Sequence, residues 1–166
     1  METEKRIAIV PGSFDPITTG HLDIIRRASE SYDEIVVAVM INRSKEYLFT
    51  MEQRERLTRI ATASMDRVRV ISSEGMLWKL AEDLGACAIV KGYRNKTDYA
   101  YEMEMADYNR AHNPKAETVL LQADERLCEV SSTVVREALK KGMDLSVYLP
   151  QAVAEEIAQI LSPSEK

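Results

Sequence analysis

Five short apolar runs, rich in β-branched residues, constrain this chain more than any other feature: "RIAIV" at 6–10, "EIVVAVMI" at 34–41, "RVRVI" at 67–71, "CAIV" at 87–90 and "ETVLLQ" at 117–122. Continuous apolar runs of this length suit strands buried on both faces, whereas the segments between them have helical periodicity. "HLDIIRRAS" places Leu22, Ile25 and Ala28 on one face, Thr50 and Gln53 in "TMEQRERLTRIATAS" stand at capping-box spacing, and "MLWKLAEDLG" ends on the helix-stop residue Gly85. "DYAYEMEMADYNRAHN" is stopped by Pro114, "SSTVVREALKKG" by Gly142, and "LPQAVAEEIAQIL" closes the chain. Five strand–helix repeats with a sixth helix predict an α/β fold, a doubly wound five-stranded parallel sheet (Rossmann-like, order 3-2-1-4-5) with helices on both faces. At 166 residues the chain suits a single domain, 1–166, and the terminal "SPSEK" reads as a frayed tail.

Composition narrows the function classes. A net charge of −5 argues against a nucleic-acid surface, so an anionic ligand needs a local basic pocket. Lys45, Lys91, Arg94 and Arg136 fall beside Gly, Ser or Asn in loops or at element starts and are the cations to follow. Cys87 and Cys128 lack a metal or redox spacing and read as buried reduced thiols, in keeping with a cytoplasmic protein. No apolar run reaches the roughly 18 residues of a membrane helix, and "METEKR" is too polar for a signal peptide.

A strand order of 3-2-1-4-5 puts a switch point between strands 1 and 4, where doubly wound sheets bind ligands. The loops there are "PGSFDPITTGH" and "KGYRNKTD". Gly12 permits a tight turn and close backbone approach to a ligand, and Gly20 and His21 open a helix whose unpaired N–H groups attract anions. His21 in a first helical turn is held neutral by the dipole and can donate one hydrogen bond to a phosphate, or it is merely a helix-start residue. Lys45 reads either as a phosphate ligand or as a solvated charge. Ser131, Ser132 and Thr133 are a helix cap or, having more hydroxyls than a cap requires, an anion seat. His112, at a helix end, reads as a solvated cap.

"TTGH" at 18–21 and "SSTVVR" at 131–136 resemble the (H/T)xGH and (I/V)SS(T/S)xVR signatures of the nucleotidyltransferase superfamily. With "PGSFDP", "KGYR", "YEMEMADYNR" and "YLP", the chain resembles the bacterial phosphopantetheine adenylyltransferases over nearly its whole length. The resemblance implies transfer of the adenylyl group of ATP to 4′-phosphopantetheine with Mg2+, giving dephospho-coenzyme A and pyrophosphate. It implies catalytic roles for His21, Lys45 and Lys91, with His21 stabilising the transition state. Ser13, Phe14, His21, Gly92, Arg94, Glu102, Ser131, Ser132 and Thr133 would bind ATP; Ser13, Lys45, Met76, Leu77, Lys91 and Asn109 would bind the acceptor. On spacing alone Met76 and Leu77 read as core. No residue is assigned as a metal ligand: magnesium would be held mainly by phosphate oxygens, and Asp15 reads as structuring its loop. A homohexamer inhibited by coenzyme A is a further implication.

Two positions depart from the family pattern. Lys91 in "KGYR" stands where most relatives carry arginine, and Ala100 in "DYAYE" replaces a carboxylate. A sister enzyme acting on nicotinamide mononucleotide or an alcohol phosphate would share TxGH, although the "YEMEMADYNR" and "YLP" segments favour phosphopantetheine. A synthetase fragment would require a basic RNA-binding domain, and a silent nucleotide or coenzyme A sensor would lose the reactive groups that are intact here.

Overall fold

The computed structural model describes residues 4–162. Along the chain run β1 (Ile7–Gly12), α1 (Thr19–Ser29), β2 (Glu34–Met40), α2 (Met51–Ala61), β3 (Val68–Ser73), α3 (Leu77–Leu84), β4 (Ala88–Tyr93), α4 (Lys96–His112), β5 (Glu117–Gln122), a single 3-10 turn at Glu125–Leu127, α5 (Ser132–Lys140) and α6 (Gln151–Leu161). The sheet is parallel throughout, in the order β3-β2-β1-β4-β5. The expected doubly wound topology is therefore present. Of "SPSEK", residues 163–166 lie outside the described residues.

Strand alternation divides the core between the two faces of the sheet. Ala8 and Val10 of β1, with Ile35, Val37 and Val39 of β2, pack with Ile25, Leu57, Val135 and Ile157 from α1, α2, α5 and α6. Ile9, Val36 and Ala38 point the other way, against Ala81, Leu77 and Leu80 of α3. Central strands that must be apolar on both sides cannot alternate with polar residues, which is why "IAIV" and "IVVAV" read as unbroken runs. The edge strand β5 is only partly buried along its length.

Local signals set most helix limits. Thr50 Oγ1 accepts the Gln53 N–H at 3.0 Å while Gln53 Oε1 accepts the Thr50 N–H at 3.0 Å, closing the expected capping box of α2. Gly85 ends α3 with φ 64°, in the left-handed region that a side chain disfavours. His112 is exposed at the end of α4, as the solvated-cap reading expected, with its Nδ1 2.9 Å from the Tyr108 carbonyl; its ring also stacks on Trp78 with centroids 5.0 Å apart, joining α4 to α3. The two cysteines are free thiols but half-buried, where full burial was expected. Among the described residues no helix is long and apolar enough to cross a membrane.

Thr50→Ala should lower the unfolding free energy by about 1 kcal/mol in urea titrations.

Candidate active site

The crevice opens where β1 and β4 end. Phe14, just past β1, has φ 48°, a backbone conformation disfavoured for a side-chain-bearing residue. Its ring is buried and turns back beneath Gly12, where an added Cβ would lie 3.0 Å from Phe14 Cζ. The absence of a Cβ at Gly12 thus admits the ring of Phe14, and its φ is not positive. The Phe14 side chain is core, and its edge supports the His21 ring with centroids 5.0 Å apart. Any contact of Phe14 with a nucleotide must come from its main chain.

Asp15 structures the loop, as the sequence suggested. Its buried carboxylate accepts the N–H groups of Leu48 and Phe49 at 2.9 and 3.0 Å, and its carbonyl accepts a hydrogen bond from Arg136 at 2.8 Å. Arg136 is consequently a clamp on the first loop. Among the described residues no three His, Cys, Asp or Glu side chains gather as a metal site.

His21 is the third residue of α1 and half-buried. Its Nδ1 accepts the Thr18 N–H at 3.0 Å, while the His21 N–H donates to Thr18 Oγ1 at 3.3 Å, so the imidazole completes a capping box usually closed by Glu or Gln. Because Nδ1 accepts, the proton of the neutral ring sits on Nε2. Burial, and then the charge of Arg94, lower the His21 pKa to about 4. Neutrality at pH 7 therefore follows from desolvation and a neighbouring guanidinium, where the sequence had suggested the helix dipole.

The two helix N-termini face one another. A Cβ on Gly20 would lie 3.4 Å from the carbonyl of Val130, just ahead of α5, and Ser132 Oγ donates to the Pro16 carbonyl at 2.8 Å. Fewer amides are free than the sequence implied. The Thr19 N–H is taken by the Tyr148 carbonyl at 2.8 Å and the His21 N–H by its cap, leaving that of Gly20 without a partner among the described residues. On α5, Ser131 Oγ accepts from the Val134 N–H, and Thr133 Oγ1 accepts from Arg136. The hydroxyl run thus resolves into a cap, a tether and an arginine partner. The backbone N–H groups of Ser132 and Thr133 are the unpaired donors there.

On β4, Gly92 faces α1, where an added Cβ would come within 2.9 Å of Ile24 Cγ1; the glycine admits α1 against the sheet. Lys91 points to the α4 side, its Nζ 2.5 Å from Glu102 Oε2, both largely buried. Glu102 Oε2 has no directional hydrogen bond, so the Lys91 charge is what balances it. The sequence placed Lys91 against phosphates and Glu102 against the nucleoside, without foreseeing that they pair. Arg94 Nε bonds Asp98 Oδ2 at 3.0 Å, and its charge reaches His21.

Lys45 is exposed on the 41–50 loop, held by a turn from its N–H to the Asn42 carbonyl. Ser13 Oγ lies 3.5 Å from the hydroxyl of Tyr47 on the same loop. Met76, at the start of α3, is half-exposed and not core. Leu77 packs into the α3 side of the core, and Asn109 is buried on α4, so both also serve the fold. Arg54, buried on α2 behind Ser13, gave no signal in the sequence, because a charged residue in "MEQRERL" reads as solvated.

The His21 geometry is open to NMR. The imidazole should stay neutral from pH 8 to about 5, with the Nε2-protonated tautomer and a midpoint near 4. Between that midpoint and the ordinary 6.5, the unfolded chain binds more protons, so His21 contributes a loss of stability as pH falls through this window. A midpoint near 6.5 would show that the ring is neither desolvated nor close to Arg94.

Residues 9–138 match the cytidylyltransferase-like family. A phosphopantetheine adenylyltransferase of Limosilactobacillus reuteri (strain DSM 20016) is 39% identical over 160 residues, covering 96% of this chain and 92% of that protein. Enzymes of the same name from Heliobacterium modesticaldum and Rubrobacter xylanophilus are 42% and 43% identical, covering 92% and 96% of this chain and 91% and 97% of those proteins. With a family match across the switch-point loops and relatives of this identity along nearly their whole length, the chain belongs to the cytidylyltransferase-like family, in its phosphopantetheine adenylyltransferase branch.

Proposed function

We propose that this enzyme transfers the adenylyl group of ATP to the 4′-phosphate of 4′-phosphopantetheine. An acceptor phosphate oxygen bonds to the α-phosphorus as the bond to the bridging oxygen breaks, giving dephospho-coenzyme A and pyrophosphate. The observation that carries this reading is the meeting of two helix N-termini beside a neutral, Nε2-protonated His21 at the switch point. The names of the relatives support the choice of acceptor.

The acceptor phosphate is already an anion at neutral pH, so no general base is required, and catalysis rests on positioning and charge stabilisation. His21 Nε2–H and the Gly20 N–H would donate to oxygens of the reacting phosphate. The free amides at the start of α5 (Ser132, Thr133), with Ser131 as their cap, and Arg94 would hold the departing pyrophosphate. Ser13, Lys45 and Lys91 would receive the acceptor phosphate, Glu102 and the Gly92 main chain the nucleoside, and Met76, Leu77 and Asn109 the pantetheine arm. Magnesium would supply charge neutralisation on the triphosphate. The residues present fit an ion carried by phosphate oxygens, because the Asp15 carboxylate is already occupied by two amides and Glu102 faces Lys91. Assembly as a homohexamer, inhibition by coenzyme A and a cytoplasmic location complete the proposal.

Pyrophosphate release should depend on 4′-phosphopantetheine; equal turnover with nicotinamide mononucleotide or glycerol phosphate would overturn the acceptor assignment. His21→Ala should lower kcat by about 10² or more with substrate KM values little changed, as expected for a donor that acts in the transition state.

Lys91 carries a separate expectation. Lys91→Arg should retain activity within about tenfold, and Lys91→Met should lose on the order of 10² in kcat/KM. Lys91→Met also strands the Glu102 carboxylate. Adding Glu102→Gln should recover thermal stability without recovering activity, and recovery of both would make Lys91 a partner of Glu102 alone.

A further inference from the structure

Arg54 is 1% exposed, although it lies on a helix whose sequence reads as an amphipathic surface element. Its Nη1 donates to the Ser13 carbonyl at 2.7 Å and the Met40 carbonyl at 3.0 Å, joining the loop after β1 to the end of β2. Its guanidinium lies 3.9 Å from the centroid of the Tyr47 ring. The Tyr47 hydroxyl accepts the Asn42 N–H at 2.6 Å and lies 3.5 Å from Ser13 Oγ, so Tyr47 closes the loop that bears Lys45 over the arginine. Arg54 Nε is buried without a partner. A buried charge with an unsatisfied N–H costs stability that an apolar side chain in its place would not. No carboxylate forms an ion pair with it among the described residues; its partners are two main-chain carbonyls, the Met51 sulfur at 3.6 Å and an aromatic face.

We propose that Arg54 is a positioning residue for adenylyl transfer: with Tyr47 it forms a latch that sets Ser13 and the Lys45 loop in fixed relation at the acceptor side of the crevice. This inference rests on the roles of Ser13 and Lys45 proposed above. The latch touches the loops after β1 and β2, the second of which bears Lys45. Its loss therefore acts on the acceptor phosphate and on the alignment of the reacting atoms more than on the binding of ATP. A guanidinium suits the position because its planar fork can bond carbonyls at its edge while its face meets an aromatic ring, which an ammonium cannot do.

The test is steady-state kinetics of Arg54→Met, Tyr47→Leu, the double variant and Lys45→Met, with each substrate varied in turn. Arg54→Met and Tyr47→Leu should each lower kcat by about tenfold or more and raise KM for 4′-phosphopantetheine well above any rise in KM for ATP. The double variant should be no worse than the more damaged single one, because both act through one latch. Wild-type kcat in the single variants, an equal rise in KM for ATP, or multiplying losses in the double variant would each overturn the proposal. Should Arg54→Met not fold, Tyr47→Leu, which alters a half-buried loop residue, decides the matter by the same criteria. Lys45→Met separates the two levels of inference: if it keeps wild-type kcat, the proposed acceptor site is wrong, whereas if it is impaired and the latch variants are not, only the latch is wrong.

Discussion

Asp15 lies buried where three segments of the chain meet. Its carboxylate takes the amides of Leu48 and Phe49 from the loop after β2, and its carbonyl takes a hydrogen bond from Arg136 of α5. The Arg136 guanidinium also approaches the Asp15 carboxylate, at 3.7 Å. Loops at the end of a parallel sheet have no ladder partners of their own, so their relative positions depend on contacts of this kind. The first loop is fastened from both sides, and the unpaired amides of α1 and α5 consequently face the same space. A buried carboxylate satisfied by main-chain donors is well suited to this, because charge-assisted bonds are short and directional.

The crevice is assembled sparingly. Most groups that a sequence would offer to an anion are already engaged: the Thr19 amide by Tyr148, the Ser131 and Ser132 hydroxyls by a cap and a tether, Arg94 by Asp98, and Lys91 by Glu102. What stays available is a small set of backbone donors, the Nε2–H of His21 and the exposed Lys45. His21 combines two duties. Its Nδ1 belongs to the fold as part of the helix cap, and that engagement leaves the remaining proton of the neutral ring on Nε2.

The topology was legible because buried parallel strands and amphipathic helices leave different periodicities in the sequence. "ETVLLQ" appears as β5 at the expected residues, and Gly85 and Thr50 mark helix limits through local chemistry that requires no distant partner. The order 3-2-1-4-5 then follows from connection rules, and with it the pair of loops at the switch point. Motifs pointed to His21, Lys45 and the run at 131–133 as candidates, and the comparisons with relatives agree on the family.

By itself, then, the sequence determined the sheet, its order, the loops that border the crevice and the family, since each depends on local periodicity or on short motifs. The tertiary structure alone decided which groups in those loops are free to meet a ligand. Gly12 and Gly92 are small because of Phe14 and Ile24, and Lys91 is paired because α4 brings Glu102 beneath it. Arg54 is buried because two strand ends offer it their carbonyls. Partners that lie on other elements leave no trace in a local pattern; a charged or small residue looks the same in the sequence whether it faces water, a ring or a buried carbonyl, and only packing distinguishes them.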